Sequence, residues 1–186
     1  MAPGNAPEVW LRGPLPDYAP VLMPVAQALL QAREDVERVA ADAAAEVLWQ
    51  RPGGAAAAGY HLQHLAGSLD RLLTYARGEP LSEAQRAALA REGTPGAPGS
   101  VIVPAVLAQI DRALEQLRQT APESLGDPRE VGRARLPSTV LGLLFHAAEH
   151  TSRHVGQLVT TLKVVRGSAT TAPPPPDRSP RPSSDR

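Results

Sequence analysis

All five histidines of this chain fall in two short windows. His61 and His64 form one; His146, His150 and His154, each four residues from the next, form the other. Residues four apart lie on one face of a helix, so His150 and His154 can turn both rings toward a single ion. Neutral imidazole is a ligand for zinc, nickel, copper and iron. Two ligands from one helix leave an ion under-coordinated. A third from a facing helix completes a three-His site and leaves positions open to water or substrate, which is the catalytic pattern rather than the sealed structural one. An isolated histidine on an amphipathic helix is ordinarily a packed or boundary residue. Several imidazoles buried together without partners would cost about 2 kcal/mol or more each, and a shared ion removes that cost. Spacing alone leaves His61 and His64 as alternatives for the third ligand, His61 lying closer to the centre of its leucine row.

The segment HAAEH, His146–His150, also matches the H-x-x-E-H string of inverted zinc peptidases, with Glu149 as general base. Such a site needs a further carboxylate ligand on a later element. After Glu149 the only acids are Asp177 and Asp185, both in the proline-rich C-terminal stretch. An exposed i,i+4 ion pair between Glu149 and Arg153 accounts for the glutamate more simply.

The elements that must position these rings read as helices. The first spans about Val21–Trp49: Leu22, Leu29, Val36 and Ala43 recur every seven residues, with Val25, Ala32 and Val39 as the partner row. The second spans about Ala56–Arg77, with Leu62, Leu65, Leu69, Leu72 and Leu73 as its apolar row, and stops at Gly78. Residues 79–99 form a longer connection, in which the Ser82–Gln85 spacing suits a capping box and a short helix. The third helix spans about Val101–Gln119, where Pro104 is tolerable only in the first turn. The fourth spans about Ser138–Arg166, with Ser138 as N-cap and Gly167 as its stop. No strand-like alternation competes with these runs. The expected architecture is all-α: an extended N-terminal arm over residues 1–19, a four-helix bundle over 20–166, and a disordered Pro/Ser-rich tail over 167–186.

Composition removes whole classes of chemistry. There is no cysteine, which excludes disulfides, thiolate nucleophiles and Cys-ligated zinc. Lys+Arg and Asp+Glu balance at 19 each, so no charge excess points to nucleic acid or an anionic membrane. No segment is apolar for the roughly 18 residues a membrane span needs. The opening MAPGNAPEVW lacks the basic region and apolar run of a signal peptide. A cytoplasmic protein with a small-molecule substrate is the expectation.

GYHLQHLAGSLDRLLTYARG on the second helix and LFHAAEHTSRHVGQL on the fourth resemble the DinB-like superfamily of metal-binding four-helix bundles. The likeness covers about residues 8–166, and EHTSRHVGQ is its most specific part. The family's H-x-x-x-H before a Gly-Gln pair falls on His150 and His154, followed by Gly156 and Gln157. Its helix-two ligand falls on His64. The resemblance therefore implies His64, His150 and His154 as metal ligands, with His61 and His146 beside the ion as groups that orient a water or take its proton. It also implies a nonstandard connection order, a homodimer, and nickel or zinc as the metal. Its characterised members include bacillithiol S-transferases and mycothiol-dependent isomerases, in which the ion activates a low-molecular-weight thiol. On this reading the protein is a metal-dependent thiol transferase or hydrolase. Arg71, seven residues past His64, can hold an anionic substrate or a surface ion pair, and Gln157 can bind a ligand or pack against a neighbouring helix. Tyr60 and Tyr75 lie near with no clear role. The rival is a non-catalytic metal-binding stress-response module, which a fourth protein ligand would favour.

Overall fold

Each apolar row above becomes one wall of a shared core in the computed structural model, which describes residues 6–170. Helix α1 (Met23–Ala40) starts on Pro24, where a missing N–H costs nothing, and buries Val25, Leu29, Ala32 and Val36. A single turn, α2 (Ala45–Leu48), follows. Helix α3 (Ala58–Ala76) buries Leu62, Leu65, Leu69 and Leu73 on one stripe. Helix α4 (Glu83–Arg91) begins in the Ser82–Gln85 capping box, with both reciprocal hydrogen bonds formed. Helix α5 (Gly99–Gln119) buries Val103, Val106, Ile110, Leu114 and Leu117. A hairpin of β1 (Pro128–Val131) and β2 (Leu136–Thr139) leads into α6 (Val140–Thr170).

The protein is a four-helix bundle of α1, α3, α5 and α6. Helix α3 packs against α5 and α6, and α1 packs against the same two. The order around the bundle is thus α1–α5–α3–α6, and the long helices that follow one another as α1 and α3, or α5 and α6, stand at opposite corners. Leu22, Leu29, Leu62, Leu65, Leu69, Ile110, Leu117, Leu144, Leu158 and Leu162 fill the centre with almost no exposed surface.

Several local features differ from the sequence reading. The first helix does not run to Trp49; it ends at Ala40, and residues 41–44 bridge to α2. The cause is tertiary: the Gly99 N–H donates to the Ala43 carbonyl at 2.8 Å, docking the start of α5 against this backbone. The fourth helix is capped by Thr139, not Ser138: the Gly142 N–H donates to Thr139 Oγ1 at 3.0 Å, while Ser138 lies in β2. The helix runs through Gly167 to Thr170, because Gly167 keeps helical geometry rather than the left-handed turn that stops a helix. Residues 167–170 are therefore helical rather than tail; the rest of the proposed disordered tail, 171–186, lies outside the described residues. Pro104 sits past the first turn of α5, where its ring displaces the Ser100 carbonyl from a helical bond; both residues are exposed, so water can take that bond. The hairpin, paired Pro128↔Thr139 through Val131↔Leu136, was not expected at all. The N-terminal segment is more than an extended arm: Val9–Arg12 form a 3-10 turn, Val9 is buried, and its N–H donates to Gln31 Oε1 at 2.9 Å.

Candidate metal centre

Helices α3 and α6 lie side by side, and every histidine projects from one of them. On α3 the buried row Leu62, Leu65, Leu69 fixes the helix rotation, which leaves His61 and His64 facing α6. On α6 the row Leu144, Ala147, Thr151, Leu158 does the same for the strip of three histidines. Three rings converge: His64 Nε2 lies 3.0 Å from His150 Nε2, and the His154 ring centroid lies 4.6 Å from that of His64 and 4.5 Å from that of His150. One nitrogen from each of His64, His150 and His154 lies within 4.8 Å of the others. An ion bonded to imidazoles at about 2.1 Å holds its ligand nitrogens roughly 3–3.5 Å apart, so the donor set fits such an ion with small side-chain adjustment.

The strip on α6 runs from wet to dry. The side chain of His146 is 52% exposed and lies 3.5 Å from Glu149, which also pairs with Arg153. His150 is half-buried and His154 is buried. Burial pushes the His154 imidazole down to about 4, with the rings of His64, His150 and His61 and the charge of Arg153 adding to the effect. His150 is lowered by burial first and by His64 and His146 next; His61 is lowered by burial and then by His64. Each cause favours the neutral ring, which is the form that ligates a metal.

His61 is buried, and its Nδ1 lies 3.1 Å from His154 Nδ1. Two ring nitrogens at that distance share one proton between them, so His61 and His154 are tied as donor and acceptor. His61 is outside the group of three that offers ligand atoms to one point. Tyr60 stacks on His64, with ring centroids 5.4 Å apart and planes 9° from parallel, and meets His61 edge-on.

Two further residues touch the cluster from outside the histidine windows. Glu92, at the end of α4, places Oε2 2.6 Å from His64 Nδ1 and Oε1 2.5 Å from Arg71 Nη1. Arg71, expected at an anionic substrate or a surface pair, is thus engaged with Glu92 and has a side chain only 12% exposed. Sequence reasoning missed Glu92, since it stands in a linker with no periodic partner; its one signal is the following Gly93, whose left-handed φ of +85° turns the chain there. Gln157 is exposed and makes no hydrogen bond to the histidines among the described residues. Tyr75 is half-buried on α3, well along the helix from the cluster.

A family model described as the DinB superfamily matches residues 28–158, a span that includes all five histidines, Arg71 and Glu92. A comparison with curated proteins finds no match.

Proposed function

The chain belongs to the DinB superfamily, a metal-binding family, and from that premise we propose that it is a divalent-metal-dependent enzyme of the thiol S-transferase or hydrolase kind. The observation that carries this reading is the convergence of three imidazoles from adjacent helices on one point. In the proposal, His64, His150 and His154 hold the ion, with nickel or zinc as the metal best suited to the donor set. When bound, such an ion acts as a Lewis acid that lowers the pKa of a coordinated water or small thiol. A set of three protein ligands leaves coordination positions free, which supports catalysis over a purely structural metal module.

The chain's own residues then have distinct tasks. The depressed basicity of His150 and His154 keeps both rings neutral and available as ligands at neutral pH. His146, at the exposed end of the strip, takes a proton from a reactant arriving from solvent. His61 acts through His154, sharing a proton with its Nδ1 and so fixing which nitrogen of that ring is free. Gln157 is proposed at the outer edge as a contact for substrate. The thiol, where one is used, is a low-molecular-weight cofactor, because the chain has no cysteine. The assembly is proposed to be a homodimer, which sedimentation equilibrium checks directly.

The test has two parts. Elemental analysis of protein purified without a metal-affinity step is expected to find about one divalent ion per chain, and His150→Ala is expected to lose it. Equal metal in both proteins removes the site. A screen of small thiols against electrophilic acceptors, with and without chelator, is expected to reveal turnover that needs both thiol and metal. Metal binding with neither such turnover nor any metal-dependent hydrolysis selects the non-catalytic module instead.

A further inference from the structure

The side chain of Glu92 is only 8% exposed, yet it comes from the end of a short outer helix rather than from the bundle. Both of its oxygens are used, one on His64 and one on Arg71. We propose that Glu92 and Arg71 are positioning residues of the metal centre: Glu92 accepts the Nδ1–H of His64 and so presents the bare Nε2 to the ion, while Arg71 anchors the Glu92 carboxylate. The inference rests on His64 being a ligand.

The argument is one of proton accounting. A neutral imidazole carries one proton, on either nitrogen. An ionised carboxylate only accepts, so at 2.6 Å it draws that proton to Nδ1. The lone pair is then left on Nε2, the nitrogen that faces His150 Nε2 at 3.0 Å. Without Glu92 the alternative tautomer would place a hydrogen where the ion must sit. A carboxylate behind a ligating histidine is a recurrent means of fixing ring orientation and raising ligand basicity.

The surroundings hold the carboxylate in place. The Gly93 N–H donates to Gln63 Oε1 at 2.7 Å, tying the linker to α3 one residue from His64. Tyr60, stacked on His64, has its ring edge against Gly93. Gly67 completes the arrangement. A Cβ at that position would lie 2.2 Å from Glu92 Oε1 and 2.8 Å from Arg71 Nη1, so the pair closes over α3 only because residue 67 has no side chain.

The experiment compares wild type with Glu92→Ala, Glu92→Gln, Gly67→Ala and His150→Ala, each as the full chain. Zinc affinity of the metal-free protein is measured by competition with a chromophoric chelator, and the His64 tautomer is read from long-range proton–nitrogen NMR correlations of the imidazoles. Glu92→Ala is expected to weaken zinc binding about 10- to 100-fold and to release His64 from its Nδ1–H form. Glu92→Gln, which keeps an acceptor without the charge, is expected to fall between it and wild type on both readouts. Gly67→Ala is expected to weaken binding with the carboxylate chemically intact. If Glu92→Ala does not fold, the Glu92→Gln and Gly67→Ala pair decides, and wild-type affinity in both overturns the proposal. Affinity within twofold of wild type in Glu92→Ala, or a His64 tautomer unchanged there, also overturns it. If His150→Ala binds zinc as wild type does, it is the three-His reading itself that fails.

Discussion

At the scale of single residues, burial favours the neutral form of three of the imidazoles, His61, His150 and His154. This sets a direction for pH dependence. His154 titrates near 4 in the native fold against about 6.5 in an unfolded chain, and His150 and His61 are shifted the same way. Between those values the unfolded state binds more protons than the native one, so stability falls as pH falls. The contribution is complete above about pH 6.5 and is lost progressively as pH drops toward 4. Metal-free protein is therefore expected to unfold at lower urea concentration at pH 5 than at pH 7.5, and the difference is expected to shrink in His154→Ala; an equal difference in the two proteins would show that His154 is not its source. The convergence on α6 was legible because i,i+4 spacing is a property of one helix and needs no tertiary information. Glu92 was not legible, because 28 residues, including the whole of α4, separate it from His64, and the glycine that follows it marks a turn without saying that the glutamate folds back onto a ligand.

At the scale of elements, the rows of leucine and valine located the long helices, while their ends were decided by contacts invisible along the chain. The run AADAAAEV has high helix propensity and no glycine or proline, yet α1 stops within it because α5 docks there. A Cβ on Gly99 would meet the Ala40 carbonyl oxygen at 1.9 Å, and backbone cannot yield as a side-chain tip can. Gly99→Ala is expected to cost about 2–3 kcal/mol in chemical denaturation, although alanine is ordinarily the better helix former. The start of α6 offers a paired control. Thr139→Ala is expected to cost about 1 kcal/mol through loss of the cap on the Gly142 N–H. Ser138→Ala, at the half-buried position of β2 whose hydroxyl reaches only the Thr139 carbonyl at 3.5 Å, should change stability by less than about 0.5 kcal/mol; the opposite ranking would move the cap to Ser138. The hairpin itself escaped the sequence reading because its strands are four residues long and each contains a proline, which leaves too little alternation to register.

At the scale of the whole molecule, the ion's three proposed ligands come from two neighbouring helices, so metal binding is linked to the integrity of the fold. A ligand that binds only the native state adds about 2.7 kcal/mol of stability at a hundredfold excess over its Kd. Zinc or nickel is expected to raise the melting temperature of the chelator-treated protein, and His150→Ala is expected to abolish the rise; a melting temperature indifferent to metal in the wild type would uncouple the ion from the α3–α6 contact. His64 and His150 are 86 residues apart along the chain yet 3.0 Å apart in space. A polypeptide emerging from the ribosome therefore carries one imidazole of the trio long before the other two exist. Cation retention thus doubles as a gauge of whether α6 is in place: a nascent or clipped product ending before α6 would surrender its ion to any competing chelator, while a chain that includes α6 would keep it.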